Sequence, residues 1–222
     1  MFDLCIFDCD GVLIDSEIIS ANMLIAELSG LGVSIDLEYV ARHFLGRSYP
    51  TVMKQIRLEF GLDLPDDFEA RYRARLLAAF ETDLREMPGV RAVLDQIAVP
   101  WCVATSSSPP RVNRSLEIVG LAERARGRIF TASEVALGKP APDLFLHAAR
   151  QMGVEPARCL VIEDSLTGIR AGLAAGMTVW RFTGASHLKN RPLARPVDAT
   201  PTQEFASFAD FFHLDPAMRT SK

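Results

Sequence analysis

The sequence predicts an α/β protein: a mostly parallel sheet with helices between its strands, and an all-helical block inserted after the first strand. Three observations carry that prediction. Short apolar runs of strand length recur at residues 4–7, 101–104, 159–162 and 177–182, and the first three end abruptly in polar residues. Segments with helical spacing of apolar residues separate the later runs, which is the alternation of βαβ units. Between residues 16 and 85 the spacing is helical throughout, with no convincing strand. The expected organisation is therefore a core built from residues 1–15 and 86–222 and a helical cap formed by residues 16–85.

A chain of 222 residues that is 49% hydrophobic and 23% charged has the balance of a soluble globular protein with an ample core. Its net charge of −4 recommends neither nucleic acid nor an acidic membrane surface as a partner. No apolar stretch approaches the roughly 18 residues of a membrane span, and the N-terminus carries no signal-peptide pattern, so a cytoplasmic location is expected. Oligomeric state is not legible. The four cysteines, Cys5, Cys9, Cys102 and Cys159, lack metal-site spacing and read as free thiols.

The first apolar run, Leu4 to Phe7, stops at two carboxylates two residues apart, Asp8 and Asp10, followed at once by Gly11. In open α/β sheets ligands bind beyond the carboxyl ends of such strands, so both acids stand where chemistry is done. Carboxylates buried side by side repel unless a cation compensates, and Mg²⁺ favours a few carboxylates with phosphate oxygens and water. The same stretch also reads as an Asp-rich turn capping a helix, since Asp, Gly and Ser are ordinary turn residues. Cys9, flanked by the two acids, is a poor nucleophile because its thiolate is disfavoured there.

In the helical block, Ile18, Ala21, Ile25 and Leu28 recur at helical spacing before Gly30 and Gly32, and Val52, Ile56 and Phe60 do so before Gly61. Phe68, Tyr72 and Leu76 repeat the pattern, so about four helices are expected. The connector at 45–50 combines Gly46, Arg47 and Tyr49, which suits a loop reaching toward an anionic ligand. Arg47 reads equally as a solvated surface charge.

After Pro88-Gly89, Val90, Val93, Leu94 and Ile97 mark a helix, and the next strand ends in Thr105-Ser106-Ser107-Ser108 before Pro109-Pro110 opens another. Hydroxyls and free amides at a strand end before a helix make an anion site, although serine runs are also plain loops. Two prolines hold the backbone stiff around Lys139 in Gly138-Lys139-Pro140-Ala141-Pro142, which aims its ammonium at one point unless it is a solvated loop lysine. The strand at 159–162 ends in Glu163-Asp164, and adjacent acids closing a buried strand are expensive unless they serve a cation. Its successor helix carries Gly168, Ala171, Gly172 and Ala175 as a stripe of small residues, and Phe205, Phe208, Phe211 and Phe212 read as a terminal packing helix.

In this order, Asp8-x-Asp10-Gly11-x-x-x-Asp15, Thr105-Ser106, Lys139-Pro140 and Glu163-Asp164 resemble the haloacid dehalogenase-like hydrolase superfamily, in its phosphatase and β-phosphoglucomutase branch. The likeness runs from Phe2 to about Phe182 and implies a Rossmann-like core with a helical cap. It assigns Asp8 as nucleophile, Asp10 as general acid/base and Asp164 as a ligand of Mg²⁺, with the backbone carbonyl at Asp10 a further ligand. Glu163 matches the neighbouring acid that ligates or orients water; Thr105, the amide of Ser106 and Lys139 match the phosphate-holding positions. Arg47 and Tyr49 are the candidates for selecting the substrate. The resemblance also makes the Lys139-Pro140 bond a candidate for cis geometry.

The expected reaction is hydrolysis of a small phosphorylated metabolite, a sugar phosphate or sugar-acid phosphate, through an aspartyl phosphate. Two departures count against a β-phosphoglucomutase-type mutase: Ser20 stands where those mutases carry a histidine, and the cap loop reads Leu45-Gly46-Arg47-Ser48-Tyr49 instead of roughly Lys-Gly-Val-Ser-Arg. Arg47 is a neighbouring substitute for the missing arginine, so the mutase stays the alternative activity. A non-hydrolytic phospho-acceptor domain is the alternative of another class, although it needs neither Asp10 nor a cap of this size.

Overall fold

The computed structural model describes residues 2–189 and 193–220. The chain opens with β1 (Leu4–Phe7) and then forms four helices in succession, α1 (Glu17–Ser29), α2 (Leu37–His43), α3 (Tyr49–Phe60) and α4 (Phe68–Asp83). Alternation follows: α5 (Val90–Gln96), β2 (Trp101–Thr105), α6 (Pro109–Ile118), α7 (Ala122–Ala125), β3 (Ile129–Thr131), α8 (Asp143–Gln151) and β4 (Cys159–Glu163). The chain closes with α9 (Leu166–Ala174), β5 (Thr178–Phe182), β6 (Gln203–Phe205) and α10 (Phe211–Leu214). The six strands form one parallel sheet in the order β3-β2-β1-β4-β5-β6, a Rossmann-like α/β fold.

Alternation along β1 builds both faces of that sheet. Leu4 and Ile6 pack with Leu144, Phe145 and Ala148 of α8 and Ile169 of α9, while Cys5 and Phe7 face Trp101, Trp180 and Phe211. Each fully buried aromatic or aliphatic side chain contributes about 1.5–3 kcal/mol through water exclusion. All four cysteines are buried and free, where they pack as small hydrophobes.

Two elements differ from the sequence reading. Phe205 does not belong to a terminal helix: it ends β6, paired with Phe182, while Phe208 opens a 3₁₀ turn and Phe211 and Phe212 lie in α10. β3 was not expected, because three residues are too few to show alternation. In α1 the buried face also shifts, to Ala21, Leu24 and Leu28, while Ile18 and Ile25 are half-buried.

This strand order fixes where a ligand can sit. The chain runs from β1 outward to β2 and β3, then crosses to β4 on the other side of β1, so the order reverses at β1. The carboxyl ends of β1, β4 and β2 carry Asp8, Glu163-Asp164 and Thr105. Phe7 is in register with Ile162 and Val103, and Asp8 N donates to Ile162 O at 2.9 Å, which holds the acids side by side.

Helices α1 to α4 close over this edge. Ser106 Oγ donates to Gly46 O at 3.0 Å, Thr167 Oγ1 donates to Leu45 O at 3.4 Å, and Arg114 of α6 pairs with Glu81 of α4 at 2.6 Å. The chain leaves the sheet through Ile14 and Asp15 and returns beside them, with Asp15 N bonded to Arg85 O at 3.0 Å and Ile14 bridged antiparallel to Glu86. Among the described residues no helix is long and apolar enough to cross a membrane.

Candidate active site

Lys139 is the hub of the buried charges. Its side chain is 0% exposed, and its Nζ donates to Asp8 Oδ1 at 2.6 Å, Glu163 Oε1 at 2.8 Å and Ala104 O at 3.0 Å. These use all three ammonium hydrogens. The ring of Phe145 lies 4.7 Å away, the Lys139-Pro140 peptide is cis, and the lysine is no solvated loop residue. Burial alone would lower its pKa, but the charges of Asp8 and Glu163 outweigh that and hold it above the ordinary lysine value.

Against this one ammonium stand three buried carboxylates: ligand oxygens of Asp8, Glu163 and Asp164 lie within 4.8 Å of one another. Burial raises Asp8 well above the usual carboxylate range; Lys139 lowers it, while Glu163, Asp164 and Asp10 raise it further. Burial, then the charge of Glu163, does the same to Asp164. Such a cluster is short of positive charge. Both oxygens of Glu163 are occupied, Oε1 by Lys139 and Oε2 by Asp164 N, Ser165 N and Ser165 Oγ. Asp164 Oδ2, in contrast, is buried, with His187 Nε2 3.0 Å from it. The donor set is three hard-oxygen carboxylates facing a single ammonium, so the residues present suit a divalent cation such as Mg²⁺.

Close approach in this cluster depends on two glycines. Gly11 has φ +82°, and a Cβ there would lie 2.0 Å from Asp164 Oδ2. At Gly168, in the small-residue stripe of α9, a Cβ would lie 1.6 Å from Glu163 Oε1.

Asp10 sits in different surroundings. Its Oδ1 accepts from Arg111 at 2.7 Å and from Ser16 Oγ at 2.5 Å, and its Oδ2 accepts from Ser107 Oγ at 2.6 Å. Burial raises its pKa, but Arg111 and the two hydroxyls outweigh it and leave the carboxyl below its usual range. Arg111 also reaches Ser20 Oγ at 3.1 Å and lies over the ring of Phe80, 5.6 Å from its centroid. Ser16, Ser107 and Arg111 were not singled out by sequence reasoning. Ser107 lay in the serine run, and Arg111 lacked any local signal because its role depends on α6 facing β1.

Between the acids and the cap lies a cavity of about 100 Å³, lined by Asp8, Asp10, Thr105, Ser106 and Arg111 from the core side and by Ser20, Arg47, Tyr49 and Tyr72 from the cap. The Thr105 hydroxyl accepts from Ser107 N at 3.0 Å, and the Ser106 hydroxyl donates to Gly46 O. Arg47 is exposed at the rim and bonds Gln55 at 3.3 Å; Tyr49 stacks on Tyr72 at 5.3 Å and has a buried hydroxyl with no hydrogen-bond partner among the described residues. Glu17, another residue sequence reasoning missed, lines the same cavity. Burial, with Asp10 and Asp164 adding to it, pushes its pKa up to about 8, while His187 and Arg111 oppose the rise. Burial pushes the Cys9 thiol up, as do Asp10 and Asp8, so it carries no nucleophile.

Comparison with known proteins agrees with this geometry. Residues 2–176 match the haloacid dehalogenase-like hydrolase family. The chain is 30% identical over 197 residues to 6-phosphogluconate phosphatase of Escherichia coli, covering 88% of each chain. It is 32% identical over 190 residues to hexitol phosphatase A of the same organism, covering 78% of this chain and 80% of that one. A conserved haloacid dehalogenase-like protein of unknown function from Agrobacterium tumefaciens superposes with a TM-score of 0.79 at 35% identity, covering 98% and 99% of the two chains. With the acid-ended strands, the buried lysine and the helical cap all found in one crevice, the chain belongs to the haloacid dehalogenase-like hydrolase superfamily and is an enzyme of its phosphatase family.

Proposed function

We propose that this protein is a Mg²⁺-dependent phosphatase that hydrolyses a small phosphorylated metabolite, a sugar phosphate or sugar-acid phosphate, through an aspartyl phosphate on Asp8. The observation that carries this reading is the contrast between the two aspartates of the first loop. Asp8 is held by Lys139 among acids, and Asp10 is held by Arg111 and two hydroxyls. Environments that push two carboxyl groups apart divide acid, base and nucleophile roles between them. A domain that merely accepts phosphate needs no second, separately tuned carboxylate.

Asp8, Asp164 and the backbone carbonyl of Asp10 would hold the Mg²⁺, with Glu163 orienting its neighbours. Bound there, the ion supplies charge that offsets the carboxylates and the phosphoryl oxygens. Lys139 fixes Asp8 Oδ1 and leaves Oδ2 to attack phosphorus. The bond from phosphorus to the substrate oxygen breaks as the bond to Asp8 forms, and Asp10 gives its proton to the leaving alkoxide. In the unliganded protein Asp10 favours the carboxylate. An arriving phosphate dianion adds negative charge beside it and raises its affinity for that proton. In the second half-reaction Asp10 takes a proton from water, water attacks phosphorus, and phosphate leaves Asp8 as a free carboxylate. General acid/base assistance of this kind is worth about 10²–10⁴-fold.

The amide of Ser106, the Thr105 hydroxyl and Lys139 are the phosphate-holding groups in this reading, and Arg47 and Tyr49 meet the substrate's distal end. Residues 16–85 act as the cap that excludes water. The phosphogluconate and hexitol phosphatases among the relatives support a phosphorylated sugar, polyol or sugar acid. The reading also includes a cytoplasmic location.

The test is phosphate release from a panel of phosphorylated sugars, sugar acids and nucleotides with and without Mg²⁺, joined to intact-mass spectrometry of Asp8→Asn and Asp10→Asn. After brief incubation with acetyl phosphate and Mg²⁺, Asp10→Asn accumulates phosphate on Asp8 and Asp8→Asn carries none. An adduct on Asp10, or steady turnover by Asp8→Asn, overturns the assignment. A wild-type phosphoenzyme lasting minutes identifies a phospho-acceptor instead. Interconversion of sugar phosphate isomers without net phosphate release identifies a mutase.

A further inference from the structure

We infer that Asp15 and His187 are positioning residues for Asp164: the first anchors a turn, and the turn sets an imidazole against the carboxylate. This rests on the reading of Asp164 as a metal-holding residue. Asp15 belongs to the opening motif yet has no part in the chemistry above, and His187 lies far along the chain in the turn Ser186–Leu188. The structure joins them. Asp15 Oδ1 accepts from Ser186 N at 3.1 Å and from Ser186 Oγ at 2.7 Å. Leu188 N bonded to Ala185 O at 3.0 Å completes the turn. A short turn held at both its backbone and its side chain has little freedom to move the residue between its bonds.

That residue, His187, is buried, and its Nε2 lies 3.0 Å from Asp164 Oδ2. The same oxygen is also bounded by Gly11, where a Cβ would lie 2.0 Å from Oδ2 and 3.1 Å from His187 Cε1. Arg181 Nε donates to the backbone carbonyl of Asp164 at 3.3 Å and fixes its main chain. The carboxylate oxygen is therefore packed against both the first loop and the imidazole, which adjoin each other around it. Rotation out of that position would turn its lone pairs away from Asp8. Groups that orient a metal-holding side chain without touching the metal commonly change affinity by about 10–100-fold when removed.

Asp15 carries a second consequence because of where it stands. Its N–H is bonded to Arg85 O at 3.0 Å, at the crossing where the chain enters and leaves the helical block. One residue, through its backbone N–H and its side chain, thus ties that crossing to the turn that carries His187.

The experiment measures Mg²⁺ binding to the full-length protein by isothermal titration calorimetry, alongside the Mg²⁺ dependence of phosphate release. His187→Ala and Asp15→Ala weaken Mg²⁺ at least about 10-fold, and His187→Gln, which keeps an N–H at the reach of Nε2, recovers most of the affinity. In the rate data the Mg²⁺ concentration for half-maximal activity rises more than the rate at saturating Mg²⁺ falls. A role in folding alone lowers the saturating rate and the number of binding sites, and leaves the Mg²⁺ affinity and the half-maximal concentration unchanged. Ser186→Ala removes one of the two bonds to Asp15 and gives a smaller loss in the same direction, so it carries the test if His187→Ala does not fold. A normal wild-type isotherm together with folded His187→Ala and Ser186→Ala proteins that bind Mg²⁺ within about 2-fold of it overturns this inference alone. A wild-type protein that takes up no Mg²⁺ overturns both the inference and the metal-dependent reading beneath it.

Discussion

Replacing Lys139 by Met tests the charge balance on which the site depends. Met keeps the length of the side chain and its packing beside Phe145, so the perturbation is the loss of the ammonium. Asp8 at 2.6 Å and Glu163 at 2.8 Å then face each other with Asp164 and no cation among the groups that now hold them. Removing one partner of a buried ion pair costs about 3–5 kcal/mol, because the remaining charge stays desolvated. Protonation of Asp8, whose pKa burial already raises, relieves part of that cost; the lost contact with the Phe145 ring adds about 1–2 kcal/mol. A net loss of about 3–5 kcal/mol follows. With a urea slope of about 3 kcal/mol per molar for a chain of this size, the midpoint falls by about 1–1.7 M. The assay is urea unfolding in EDTA at pH 7.5, followed by the fluorescence of the buried Trp101 and Trp180. Added Mg²⁺ shifts the midpoint of Lys139→Met upward more than that of the wild type, since the ion replaces part of the missing charge. A midpoint within about 0.3 M of the wild type in EDTA, equivalent to about 1 kcal/mol at that slope, refutes the argument.

Gly168→Ala sets a Cβ 1.6 Å from Glu163 Oε1, so the carboxylate must leave its four donors; a loss of about 3 kcal/mol and at least a 10-fold lower turnover are expected in urea unfolding and steady-state kinetics. Glu17→Gln tests the carboxyl that burial pushes up to about 8. A carboxyl whose folded pKa is raised costs stability as pH climbs from its unfolded value near 4.3 toward 8, so in EDTA the variant gains on the wild type between pH 5 and pH 8; equal midpoints at both refute it. Arg111→Ala removes the cation that holds Asp10, and turnover falls by about 10²-fold, with Arg111→Lys recovering only part because a lysine cannot reach Asp10 and Ser20 through one planar group. Arg47→Ala raises KM for the best sugar phosphate more than for a small aryl phosphate, and an equal rise on both removes Arg47 from substrate selection.

The acids were legible because a strand's end is a local event. An apolar run followed by Asp8 or by Glu163-Asp164 announces both the strand and the unusual cost of placing charge at its tip. Lys139 was legible through its prolines. Arg111 was not, since nothing at 109–118 distinguishes a guanidinium facing Asp10 from one in solvent, and α6 had to be docked before the pair existed. His187 stood in an irregular segment with no periodicity to read, and its partner is twenty-three residues upstream in the sequence. β3 and β6, at three residues each, were too short to show a period.

What the sequence by itself determined was the α/β class, the helical insertion and the row of acids and lysine at strand ends, because these follow from apolar periodicity and from charges that interrupt it. Only the tertiary structure decided which of these charges face each other. Lys139 meets Asp8 across 131 positions and Glu163 across 24, and Arg111 meets Asp10 across 101. Electrostatic effects fall with distance in space and are indifferent to distance along the chain, so the opposite environments of Asp8 and Asp10 arose only when the sheet order brought β1, β2 and β4 together.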